Sequence, residues 1–127
     1  MPVITLLYAG ILGIMSIILS FGAGSQRVSK DISVGDGGDA ELLVAIRRHG
    51  NFVEYVPLAL LLIALHEMTG TSAMTLHVFG AVLVLSRIAH AVGLRSDVVK
   101  VPLRGIGAGG TALLTVVMSV WGLARFF

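Results

Sequence analysis

The chain contains no cysteine in its 127 residues, which excludes a disulfide, a thiolate metal site and a cysteine nucleophile. Any thiol chemistry must therefore use a thiol carried by a substrate. Charge is scarce as well: 13% of the residues are Asp, Glu, Lys or Arg, against about a quarter in soluble domains. So few polar side chains cannot cover a water-facing surface. The formal net charge of +2 is too small to argue for nucleic acid as a partner.

What is abundant is apolar sequence. Hydrophobic residues make up 56% of the chain and the mean hydropathy is +0.96, so lipid is the expected solvent. A membrane-spanning helix takes about 20 residues, and four spans leave roughly 45 for connections. The expected fold class is all-α: one transmembrane domain over residues 1–127, an integral four-helix bundle of antiparallel up-down topology. Its helices are expected at about 2–24, 40–67, 72–94 and 104–126. The first block lacks a basic n-region and is longer than a signal-peptide core, so it reads as a membrane helix. Residues Ser25 to Asp39 carry the turn-forming glycines of the main loop. Asp39 is placed to cap the second helix, with Glu41 in its first turn, and Pro57 is expected to kink that helix.

Cations set the orientation. Arg27 and Lys30 lie in the first loop, and Arg95, Lys100 and Arg104 in or beside the third, while the second loop has neither Lys nor Arg. The positive-inside bias puts loops one and three in the cytoplasm and both termini outside. Trp121, Phe126 and Phe127 then anchor the outer interface.

Several residues are out of place in an apolar helix. Helix two carries Arg47, Arg48, His49, Asn51 and Glu54, and helix three carries Arg87 and His90. Arg47, Asn51 and Glu54 share one helical face, and Arg48 and Tyr55 an adjoining stripe. Each ionisable group facing lipid near mid-membrane costs about 2.5–3.5 kcal/mol. They are thus expected to face the bundle interior or its cytoplasmic mouth. A purely structural role is open: Glu54 pairing with Arg47 or Arg87, and Asn51 bridging two helices. Against it, Arg47, Arg48 and Arg87 outnumber the one carboxylate, Glu54. That excess suits a ligand bearing carboxylates and an ammonium group.

Other residues read more plainly. His66, Glu67 and His77 are expected at the outer interface, and no third ligand accompanies the two histidines, so no metal is expected. The glycines of helix four suit helix packing rather than a phosphate loop, since no Gly-Lys-Ser/Thr follows them.

The run Arg47-Arg48-His49-Gly50-Asn51-Phe52-Val53-Glu54-Tyr55-Val56-Pro57-Leu58 resembles the helix-two signature of the MAPEG superfamily, the membrane-associated proteins in eicosanoid and glutathione metabolism. His66-Glu67 and Ser86-Arg87-Ile88-Ala89-His90 extend the resemblance, which covers essentially the whole chain and is similar to small bacterial members of the microsomal glutathione transferase and leukotriene C synthase type. It implies a homotrimer in the bacterial inner membrane with glutathione held between neighbouring subunits. It also implies a glutathione-dependent transferase or peroxidase acting on lipophilic electrophiles or hydroperoxides delivered by membrane lipid. The glutathione-binding residues it implies, together with the buried cations above, are Arg27, Arg47, Arg48, Asn51, Glu54, Tyr55, Arg87 and His90. Arg104 would stabilise the thiolate, with Lys100 as the alternative. Gly50 and Gly105 stand where prostaglandin E synthases carry an arginine and a serine, which counts against that activity. A non-catalytic lipid-binding or scaffold role is the competing implication, because the superfamily includes such a member.

Overall fold

A computed structural model describes residues 1–127 apart from 96 and 98–100. Among the described residues the chain is all-α, with α1 Val3–Lys30, α2 Ala40–Met68, α3 Ala73–Gly93 and α4 Pro102–Ala124. All four helices are long and apolar enough to cross a membrane. Even α3, the shortest at 21 residues, spans about 31 Å at 1.5 Å per residue, matching a hydrocarbon core of about 30 Å.

The first helix runs six residues past the expected end at Gly24, through Ser25–Lys30. Gln26, Arg27 and Lys30 are good helix formers, and the two cations in the last turn complement its carbonyl end. Asp31 stops the helix in the left-handed conformation, with φ 53°. The loop that follows is tied back: Arg27 Nη1 donates to the Gly35 carbonyl at 2.7 Å, and Lys30 reaches Asp39 at 2.6 Å and Glu41 at 3.4 Å. Asp39 caps α2 by accepting the Leu42 N–H at 2.8 Å. The second helix continues through Pro57. The fourth starts two residues earlier than expected because Pro102 is suited to the first turn, where its missing N–H costs nothing.

The core forms where the apolar stripe of α2 (Phe52, Val56, Ala59 and Ile63) meets Leu12, Leu76, Leu83, Leu114 and Met118. The third and fourth helices make the closest approach. A Cβ on Gly107 would strike the backbone of Ser86 and His90, and one on Gly93 the backbone of Arg104.

At the other end of the bundle, Glu67 is half-buried near the end of α2. Its carboxylate accepts the N–H groups of Ile4 and Thr5 at 2.8 and 2.7 Å and the Thr5 hydroxyl at 2.7 Å. It thereby caps α1, whose own N-cap, Pro2, offers no side-chain acceptor. The expectation that His66 faces the interface is overturned: it is buried, with Nε2 2.9 Å from the Met118 carbonyl and its ring against Phe79 and Trp121. His77 is exposed and meets the Tyr8 hydroxyl at 3.1 Å.

Gly107→Ala is expected to force α3 and α4 apart and to cost about 1–3 kcal/mol. Gly105→Ala, whose added methyl meets nothing within 4 Å, should leave stability unchanged or raise it. Unfolding titrations in mixed detergent micelles compare the two.

The Asp39 carboxyl sits below the ordinary aspartate range, chiefly because Lys30 donates to it and secondarily because the Leu42 N–H does. Its contribution is in place above the unfolded-state value and disappears as pH falls through the lower folded one. Asp39→Ala should therefore lower the thermal midpoint at neutral pH, and the gap to the parent protein should narrow as pH falls below the ordinary aspartate range, read by circular dichroism.

Candidate functional site

The interior face of α2 is filled by the apolar stripe, and this decides where its polar residues go. At 100° per residue, Arg48 falls beside that stripe, Asn51 and Tyr55 flank it, and Arg47 and Glu54 fall opposite. The expectation that these residues face the bundle interior or its cytoplasmic mouth is corrected for Arg47 and Glu54, which turn to the outside of the bundle. Arg47 and Glu54 lie on the outside, 54% and 51% exposed, as an ion pair at 3.6 Å, with Tyr55 similarly exposed at 49%. Gly50 lies beneath the pair, so nothing separates the two side chains.

Behind this outward row stands Arg87, only 2% exposed. Its guanidinium donates to Asn51 Oδ1 at 2.9 Å and to the Gly107 carbonyl at 2.9 Å, and it lies 6.0 Å from the centre of the Tyr55 ring. Its Nε has no partner. Asn51 thus bridges two helices, whereas Glu54 pairs with Arg47 and not with Arg87. A groove of about 300 Å³ opens here, lined by Asn51, Tyr55 and Arg87 with Ala108, Gly109 and Ala112 of α4. Small residues on α4 leave this space, and the sequence signal for it was the run of glycines and alanines from Gly105 to Ala112, read there as packing alone.

The remaining candidates fall outside the lining of this groove. His90 is buried one turn beyond Arg87 on α3, with its backbone against Gly107. Arg104, the third residue of α4, is half-buried, and its backbone packs on Gly93. Arg48 does not join the groove. It donates to the Leu94 carbonyl at 2.7 Å and lines a separate polar cavity of about 560 Å³ with Gln26, Glu41, Val44, Arg95 and Asp97. Arg27 is also apart from it, engaged with the Ile32 and Gly35 carbonyls of its own loop. Lys100 lies outside the described residues.

Electrostatically the groove is unbalanced. Four ion pairs occur among the described residues, and none involves Arg48, Arg87 or Arg104. A buried guanidinium held only by neutral acceptors keeps its full positive charge, so the groove has a cationic floor and an acid–base pair at its rim. The described residues hold no cluster of three or more His, Asp or Glu that could bind a metal. The groove and the ion pair on the neighbouring face of α2 thus offer guanidinium groups, one amide, a phenol and one carboxylate. That set suits a small organic anion carrying an amine.

The comparisons with known proteins follow the same lines. The MAPEG family description matches residues 5–124. The inner membrane protein YecN of Escherichia coli K12 is 34% identical over 116 residues, covering 91% of this chain and 88% of YecN. YecN of Escherichia coli O6:H1 matches to the same extent. No solved structure matches significantly. With the signature of α2, four apolar helices and a match across nearly its whole length, the chain belongs to the MAPEG family.

Proposed function

We propose that this protein is an inner-membrane enzyme that binds glutathione, or a closely related thiol, and activates it for attack on lipophilic electrophiles or hydroperoxides. One observation carries the reading: a membrane helix turns Arg47, Glu54 and Tyr55 outward beside a groove whose floor is the unpaired cation Arg87. Lipid is a poor neighbour for that face, since each charge near mid-membrane costs about 2.5–3.5 kcal/mol. A second copy of the chain covering it would remove the cost and close the groove around a ligand. The reading therefore includes a homotrimer of antiparallel up-down bundles, with loops one and three in the cytoplasm and both termini outside.

In this arrangement Arg47, Asn51 and Arg87 hold the carboxylates of the tripeptide and Glu54 its ammonium group. Tyr55 packs along the tripeptide and His90 lies towards the loop end, whereas Arg27 and Arg48 are engaged away from the groove of their own protomer. Arg104 acts on the sulfur. It combines a guanidinium with the first turn of α4, and both favour a thiolate over a thiol. The sulfur loses its proton to water and attacks the electrophilic atom of a substrate that arrives through the bilayer.

Arg104→Ala should abolish conjugation of a lipophilic electrophile while leaving glutathione affinity near that of the parent. Arg47→Ala should weaken binding instead: losing a charged hydrogen bond costs about 1.5–3 kcal/mol, or roughly 10- to 150-fold in Kd. Calorimetric titration of detergent-purified protein with glutathione, followed by thiolate absorbance, separates the two effects. A protein that takes up no glutathione would sink the enzymatic reading and favour the non-catalytic lipid-binding or scaffold role.

A further inference from the structure

At the end of the bundle away from loops one and three, α2 and α4 part around a second cavity of about 500 Å³. Its walls are mainly Leu62, Leu65, Gly122 and Leu123, and His66 closes it from below. Above it stands Arg125. Among the described residues, Arg125 is the one Lys or Arg at this end. Its position is fixed on two sides. Nη1 donates to the Thr69 hydroxyl at 2.5 Å and the Thr69 carbonyl at 3.4 Å, and the guanidinium lies 4.9 Å from the centre of the Trp121 ring. An arginine has five N–H donors. With Nη1 engaged, Nε–H and the Nη2 hydrogens remain as a fork above an apolar slot.

A held cation over a slot lined by leucine suits an amphiphile whose head is anionic and whose tail is hydrocarbon. The depth agrees. Trp121 and the exposed Phe126 and Phe127 form the kind of aromatic belt that sits at the headgroup level. The acidic side chain at this end, Glu67, is engaged with the first turn of α1, and no ion pair is formed by Arg125 among the described residues. The geometry points to a binding site for one anionic glycerophospholipid: its phosphate sits on the free edge of Arg125, and an acyl chain lies between α2 and α4 past Gly122. A planar fork matches phosphate better than an ammonium does. This site is independent of the thiol groove, which is lined by other residues nearer the opposite end.

Native mass spectrometry of the detergent-solubilised protein, titrated with phosphatidylglycerol and separately with phosphatidylethanolamine, tests it. The parent protein should retain phosphatidylglycerol preferentially. Arg125→Ala should weaken that retention about fivefold or more, the equivalent of one lost basic contact with an anionic lipid, and Arg125→Lys should restore it only in part. Gly122→Leu leaves the cation in place but fills the slot. An added Cβ at Gly122 meets nothing within 4 Å, so the variant should fold and still lose the lipid. Arg95→Ala, at the opposite end, should bind as the parent does. Equal retention of both lipids, or unchanged binding in Arg125→Ala and Gly122→Leu, would overturn the assignment. So would a loss of lipid that accompanies a change in oligomeric state, because the slot would then belong to a second copy of the chain.

Discussion

A single buried guanidinium ties this bundle together. Arg87 reaches from α3 to Asn51 on α2 and to the backbone of α4 at Gly107, linking three helices through one planar group. The link requires α4 to come close enough for a main-chain carbonyl to act as acceptor. That approach exists because residue 107 has no side chain to hold the helices apart. The same carbonyl also accepts the Thr111 hydroxyl at 3.1 Å, so it serves both α4 itself and the neighbouring helix. In an apolar interior a charge this deep is tolerated only when its donors find oxygen atoms, and here those atoms are neutral. The cation is thus solvated by the protein without being cancelled, which leaves its field available to the groove beside it.

The outward row of α2 follows from the same geometry. Once Phe52, Val56, Ala59 and Ile63 occupy the inner face, helical periodicity leaves Arg47 and Glu54 nowhere else to go. Their ion pair at 3.6 Å is long and half-exposed, and such pairs contribute little to the stability of one protomer. Stability alone therefore gives weak reason for these residues. An anionic ligand, or a neighbouring copy that shields them from lipid, gives a stronger one.

Much of this architecture could be read from the sequence because it depends on counting. Four apolar stretches separated by polar or glycine-rich segments define four spans, and Asp39 stands where a helix cap is needed and accepts an N–H from the following turn. Of the helix-two signature, Asn51 and Tyr55 line the groove, whereas Arg47 and Glu54 face outward and Arg48 lines another cavity. What escaped the sequence depended on contacts between distant segments. The capping of α1 by Glu67 spans more than sixty residues, with separations of 63 and 62, and no local pattern announces it. His66 was misjudged because a histidine near a helix end usually finds water, whereas here the Met118 carbonyl and two aromatic rings enclose it. Arg48 and Arg87 looked equivalent as intramembrane arginines, yet their positions around two helices send them to different cavities. The extension of α1 to Lys30 was missed for the opposite reason: a polar segment was taken for a loop, although its composition favours helix and only its hydropathy changes at Gly24.

The two ends of the bundle handle charge in different ways, and the difference bears on what each can bind. Among the described residues, the Lys and Arg side chains other than Arg125 lie on the side of loops one and three or in the helical halves leading to it, and Arg87 is buried there, where low polarity strengthens its pull on an anion. At the opposite end Arg125 is held on the surface by Thr69 and Trp121. An interior cation acts on whatever enters the groove and loses its water there, which suits recognition of a small charged molecule. A surface cation beside an aromatic belt acts at the boundary between water and hydrocarbon, where the resident anions belong to lipids. The same residue type thus serves two kinds of recognition in one chain, and the depth at which helix packing fixes each guanidinium decides between them.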